Sequence, residues 1–165
     1  MSTALYIKIC GRCNNDCVFC ATIDSRNIPD KPHDLVKSKM LIGRESGYDS
    51  LTLSGGEPTI VPGFVDLIAY AKEIGYDWIQ VQTNARALQS RKYAKALVEA
   101  GVTEFQISIH GHTAEIHEAV TRKTGSFAQT VAGIKNAVAQ NKRGYNTTNV
   151  IITRSNYRFM PELVE

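Results

Sequence analysis

The feature that most limits the folds open to this chain is an alternation. Apolar, β-prone runs recur between stretches with helical spacing, five times in succession. The runs predict strands at Leu5–Cys10, Ser50–Leu53, Trp78–Val81, Glu104–Ile109 and Asn149–Thr153. Between them Phe64, Leu67, Ile68 and Ala71 share one helical face that Gly75 ends, and Tyr93, Ala94, Leu97 and Val98 share another that Gly101 ends. Further helical stretches are read at Asp34–Gly47, Thr113–Val120 and Phe127–Asn141, and Met160–Glu165 reads as the opening of another helix. Strands that alternate with helices predict parallel βαβ units, because a parallel pair needs a long crossover. Two architectures remain open: a doubly wound sheet, or part of a (βα) barrel. In both, chemistry gathers in the loops that follow the strands' carboxyl ends. Those loops hold Cys13, Cys17 and Cys20, then Gly55-Gly56-Glu57-Pro58, then Gln82-Thr83-Asn84, then Ser108–Gly111.

Composition closes off other classes. A chain of 165 residues, 43% apolar and 21% charged, can bury a core as one domain and is neither disordered, collagenous nor a coiled coil. No apolar run approaches the roughly 18 residues a membrane helix needs. Met1–Lys8 lacks the basic lead and long apolar stretch of a secretory signal. The expectation is a cytoplasmic protein with no membrane contact. A net charge of +3 is too small to point to nucleic acid, and it is compatible with an anionic ligand.

The four cysteines, Cys10, Cys13, Cys17 and Cys20, fall within eleven residues, so none is left to staple the rest of the chain. In a reducing compartment such a cluster reads as metal binding. Thiolates select zinc, copper(I) or iron–sulfur clusters. The spacing from Cys13 to Cys20 is C-x3-C-x2-C. Three thiolates in one loop can hold three corners of a cube-shaped [4Fe–4S] cluster and leave its fourth iron open. Adding Cys10 gives a four-cysteine set that reads as a zinc knuckle or a closed ferredoxin-like cluster. Neither explains the Gly-Gly-Glu-Pro loop, and Cys10 is read as a small core residue at the end of the first strand. His110, His112 and His117 do not share one helical face. They are read as loop and helix-surface residues, with His110 near the mouth of the site.

The cysteine spacing with an aromatic before the last cysteine, the Gly55-Gly56-Glu57-Pro58 loop, Gln82-Thr83-Asn84, Ser108-Ile-His-Gly111, and Gly125-Ser126-Phe127 with Gly133–Asn136 occur in that order. Together they resemble the radical S-adenosylmethionine (radical SAM) superfamily over nearly the whole chain. The resemblance implies one core domain, residues 1–165, built as a partial (βα) barrel with parallel strands. About five βα units are present, and the chain stops before a sixth strand. It implies two cofactors: a [4Fe–4S] cluster on Cys13, Cys17 and Cys20, and S-adenosylmethionine (SAM) chelated by the open iron. Reductive cleavage of SAM then yields methionine and a 5′-deoxyadenosyl radical that abstracts hydrogen from a substrate.

By the same resemblance Gly55 and Gly56 let backbone carbonyls approach the SAM ammonium, Glu57 shapes that loop by local hydrogen bonds, and Pro58 stiffens its exit. Ser108 reaches a ribose hydroxyl, Arg122 meets the SAM carboxylate, and Phe19 sets its backbone against the adenine. Gln82 and Asn84 face SAM or substrate. Val150–Thr153, as the fifth strand, supplies part of the adenine pocket. The implied partners are an electron donor of flavodoxin or ferredoxin type, an unidentified substrate (peptide or protein modification is suggested only by its frequency in the family), and a partner chain or second copy covering the open barrel edge. Two other readings stand beside this one: an iron–sulfur or zinc-binding module, or electron carrier, without SAM cleavage, and a catalytically incomplete SAM-binding fragment.

Overall fold

The structure is a computed structural model that describes residues 4–164. Five strands form one sheet: β1 (Ala4–Cys10), β2 (Ser50–Gly55), β3 (Trp78–Thr83), β4 (Glu104–Ser108) and β5 (Tyr145–Asn149). Every pairing is parallel and the spatial order is β1-β2-β3-β4-β5. A doubly wound sheet reverses its strand order part-way. Here each strand lies beside its predecessor, which is the progression of a (βα) barrel.

Between the strands run α1 (His33–Glu45), α2 (Phe64–Glu73), α3 (Arg91–Ala100), and the pair α4 (Ala114–Thr121) and α5 (Ser126–Gln140). A short α6 (Met160–Val164) follows β5. Gly75 (φ +90°) and Gly101 (φ +131°) end α2 and α3 in backbone geometry that a side chain would strain. Ser90 caps α3 by accepting a hydrogen bond from the Tyr93 amide.

The sheet sorts its residues by the two-residue period of a strand. Ile7, Ile9, Leu51, Leu53, Ile79, Val81, Phe105 and Ile107 are buried in one core with Val36, Met40, Leu67, Ile68, Ala71, Ala94 and Leu97 of the helices. The alternate positions carry a polar ladder. Thr52 donates to Gln80 Oε1 (3.2 Å), and Gln80 Nε2 donates to Glu104 Oε2 (2.8 Å). Trp78 Nε1 donates to the same Glu104 oxygen (3.1 Å), and Thr147 Oγ1 donates to the other (2.8 Å). Glu104 is thus held by three donors on the face of the sheet opposite the apolar core, so its buried carboxylate is not left unpaired.

The fifth strand is not where its apolar run predicts it. Tyr145–Asn149 pairs with β4 from Glu104↔Tyr145 to Ser108↔Asn149, while residues 150–153 have left the sheet. Tertiary partners override propensity here. Asn141 Nδ2 donates to the carbonyls of Thr103 (3.2 Å) and Tyr145 (3.1 Å), and Tyr145 packs 5.2 Å from the Trp78 ring, so the register is set before the apolar run begins. The strand pairs on one side only among the described residues, and its polar make-up suits a sheet edge. Ile151 and Ile152 are 38% and 67% exposed, so this apolar run does not serve the core.

Candidate active site at the carboxyl ends of the strands

A cavity of about 200 Å³ opens where β1 to β4 end. Its walls include the three loop cysteines, Gly55-Gly56-Glu57, Gln82-Thr83-Asn84 and Ser108, so the polar motifs after four successive strands meet in one place.

The cysteine loop has little regular structure of its own and is fastened from outside. Asp16 N donates to Thr121 O (2.9 Å) and Val18 N to Val120 O (3.0 Å), which ties the loop to the end of α4. From β3's exit, Arg86 donates to Asn14 O and to Asn15 Oδ1 (2.9 Å), and Asn84 Nδ2 donates to Asn14 Oδ1 (2.7 Å). Arg26 pairs with Asp16 across the loop. With the backbone carried by neighbours, the thiols stay free of disulfides and face the cavity.

The sulfurs are set up as acceptors. Cys13 Sγ receives the Asn15 amide (3.4 Å) and stands 3.8 Å from Asn84 Nδ2. Cys20 Sγ lies 3.4 Å from Thr22 Oγ1. Burial disfavours the Cys20 thiolate, but hydrogen bonds from Thr22 and Arg26 outweigh it and leave the thiol's pKa below its ordinary value. Cys17 goes the other way: burial, then the neighbouring Cys13 and Cys20, push it up to about 11. The Cys17 thiol thus resists ionising beside its two neighbours, and a cation held among the three would offset that. Among the described residues no three of His, Cys, Asp and Glu converge on a point where one metal ion would sit. Cys10 stands apart at 4% exposure, its Sγ donating to Glu57 O (3.4 Å) within the core, as expected of a core residue.

The second loop is built around Glu57, which is 1% exposed. Its Oε1 accepts from Thr59 N (3.1 Å), Thr59 Oγ1 (2.6 Å) and Thr83 Oγ1 (2.7 Å), and its Oε2 accepts from Asn84 N (2.7 Å). Burial raises its pKa, and these donors pull it back toward the carboxylate. The reach to β3 goes beyond the local role expected for Glu57, since this carboxylate fastens the β2 exit to the β3 exit. Gly55 and Gly56 are required by close approach. A Cβ on Gly55 would lie 2.6 Å from Cys10 Sγ, and one on Gly56 2.2 Å from Gly11 O. The glycines therefore admit the end of β1 first, before any ligand is considered.

Of the remaining positions singled out from sequence, Phe19, Gln82, Asn84 and Ser108 line the cavity, whereas Pro58 is buried behind it. Arg122 is exposed at the end of α4 in a left-handed turn (φ 52°) and does not line the cavity, so the cavity's cation is a different residue, Arg26. Residues 150–153 do not line it either. His110 does, at 3% exposure, edge-on to Phe19 with centroids 5.0 Å apart. His117 is buried at 1% and stacks on His110, a correction to the helix-surface reading. Its Nδ1 accepts the His110 amide (3.2 Å), and His110 Nδ1 accepts the Ile151 amide (3.3 Å). Burial lowers both imidazoles to about 4, helped by His117 for His110 and by Arg86 for His117. Arg26, Arg86 and Asn15 escaped the sequence reading because no spacing marks them. Only the proximity of Arg26 to Cys20 offered a hint.

This cavity, on this sheet, defines a class. The radical SAM superfamily's sequence signature matches residues 7–159, and the chain belongs to that superfamily, whose cofactors are a [4Fe–4S] cluster and SAM. Among curated relatives, a protein of Limosilactobacillus fermentum named GTP 3′,8-cyclase is 32% identical over 157 residues, covering 91% of this chain and 46% of that protein. One of the same name from Petrotoga mobilis is 31% identical over 142 residues, covering 81% of this chain and 42% of that protein. The chain thus spans about half the length of the curated relatives it matches. Among solved structures, Streptococcus suis SuiB bound to S-adenosylmethionine superposes with a TM-score of 0.79 at 20% identity, covering 98% of this chain and 36% of that one. That likeness concerns the fold. No helix among the described residues is long and apolar enough to cross a membrane.

Proposed function

We propose that this chain is the cluster- and SAM-binding core of a radical SAM enzyme, with Cys13, Cys17 and Cys20 as the cluster's ligands and the cavity beside them as the SAM site. A [4Fe–4S] cluster held by Cys13, Cys17 and Cys20 beside SAM would supply the electron that splits SAM into methionine and a hydrogen-abstracting 5′-deoxyadenosyl radical. The chain's residues hold and exclude. Asn15 and Asn84 donate toward the Cys13 sulfur, Thr22 Oγ1 lies within hydrogen-bond reach of that of Cys20, and such hydrogen bonds orient and tune a cluster's ligands. The Glu57 hub keeps the Gly55-Gly56 backbone close against β1, so its polar groups are in place before a ligand arrives. Ser108 and Gln82 offer side-chain polar groups at the cavity wall for a ribose or a substrate.

The observation that carries this reading is the meeting of three unpaired thiols with the Gly-Gly-Glu loop and the β3 and β4 exits in one cavity. An electron carrier without SAM chemistry has no use for the last three. The test is anaerobic reconstitution, reduction with dithionite in place of a flavodoxin- or ferredoxin-type donor, and measurement of 5′-deoxyadenosine. The expected result is about four irons per chain and 5′-deoxyadenosine release that depends on SAM. One tightly bound zinc and no iron uptake would count against it. For the substrate, the names of the relatives put a guanine nucleotide first. Adding GTP and following new product masses tests that choice, and the peptide expectation has no residue of this chain in its favour.

A further inference from the structure

Arg26 is the one lysine or arginine among the described residues that line the cavity. It follows Cys20 by six residues and pairs through Nη1 with Oδ1 of Asp16, the residue before Cys17. The pair therefore ties together the two limbs of the loop that carries Cys17 and Cys20. The two side chains sit differently. Asp16 is 50% exposed and Arg26 22%, so the anion leans into water and the cation inward. The guanidinium shares the cavity wall with Cys20 and its charge favours the Cys20 thiolate, while its Nε is buried with no partner among the described residues. Water screens the outer charge more than the inner one. The loop thus presents an incompletely cancelled positive charge to one thiol.

Resting on the cluster reading above, we infer that Arg26 is a positioning residue for the cluster: it closes the loop and raises the cluster's reduction potential, with Asp16 as its partial counter-charge. The physical basis is charge. A thiolate-ligated cluster gains one negative charge on reduction, and a cation beside a ligand sulfur stabilises that form more than the oxidised one. An anion opposes it. A clamp that only held the backbone would give no such opposition of signs.

The experiment is an anaerobic potentiometric titration of the reconstituted chain, read by electron paramagnetic resonance of the reduced cluster, for wild type, Arg26→Met, Arg26→Lys and Asp16→Asn. Arg26→Met is expected to shift the potential to more negative values, with Arg26→Lys between it and wild type. Asp16→Asn is expected to shift it to more positive values, by less, because that carboxylate is half in water. If Arg26→Met fails to load, the Asp16→Asn and Arg26→Lys shifts still decide. Shifts of the same sign for the two charge removals, or wild-type potentials throughout, overturn the assignment. So does loss of the cluster from every variant, which would make the pair a structural clamp only. A wild-type chain that takes up no cluster overturns the underlying reading and this inference with it.

Discussion

The two loops that meet over the cavity are held by opposite means. Residues 55–60 are organised around a buried carboxylate of their own, which four donors saturate, two from Thr59 within the loop and two from the end of β3. The cysteine loop is organised from without, by Arg86, Asn84, Arg26 and the backbone of α4's last turn. The difference follows from what each must present. A loop that offers backbone to a ligand is served by a rigid internal hub. On the proposed reading, a loop that offers sulfurs to a cluster must keep them free of covalent partners and facing the cavity, so its fastenings come from other elements. One side chain, Asn84, serves both, with its amide N on Glu57 and its Nδ2 on the cysteine loop.

The sharpest test of the contrast removes the sulfurs. Cys13→Ala, Cys17→Ala and Cys20→Ala should each abolish the cluster while the apo chain keeps its circular dichroism and melting temperature within a few degrees, since the loop's fastenings are elsewhere. Cys10→Ala should keep the cluster. Iron and sulfide assays with melting curves decide it, and loss of the cluster on Cys10→Ala would restore the four-cysteine reading.

Glu57→Ala should do the reverse and damage the fold itself. It strands buried donors from Thr59, Thr83 and Asn84, at a cost of about 3 kcal/mol or more. Glu57→Gln should also destabilise, because every partner donates and an amide NH₂ cannot accept. Urea unfolding of the apo chain measures both, and a loss under about 1 kcal/mol for Glu57→Ala would show that the hub is dispensable. Valine at Gly55 or Gly56 is a poor probe of SAM binding for the same reason: it collides with the end of β1 before it meets a ligand.

Acid should reach a third region, the His110–His117 stack. Both imidazoles are held near 4 in the folded chain against an ordinary 6.5. The unfolded chain therefore binds protons that the folded one refuses between those values. Stability should be full above pH 6.5 and fall as pH drops toward 4, by on the order of 3 kcal/mol for each imidazole. His117→Gln should flatten that slope. An equal slope in variant and wild type would place the acid sensitivity elsewhere.

The smallest effect is expected from Arg86→Ala, which removes one outside fastening. Apo stability should fall by about 1–2 kcal/mol, with faster loss of iron to a chelator. Unchanged chelation kinetics would mean that the α4 backbone contacts suffice.

The alternation of strand and helix, the gathering of motifs at one end of the sheet and the cysteine set were all legible from residue order. They depend on local periodicity and on close spacing, and both survive in one dimension. The choice of barrel progression over a doubly wound sheet was not, because strand order is a matter of which crossover packs beside which. The placement of β5 was not either. Val150-Ile151-Ile152 has the stronger strand propensity, yet Asn141, Trp78 and Glu104 had already set the polar segment before it against β4. The same holds for charge: Arg122 matched a pattern, but tertiary packing turned it to water and brought Arg26 and Arg86 to the cysteine loop. Periodicity and spacing are written along the chain. Which distant donor finds a buried acceptor is decided only when the chain folds, because the penalty for leaving it unpaired exists only in the folded interior.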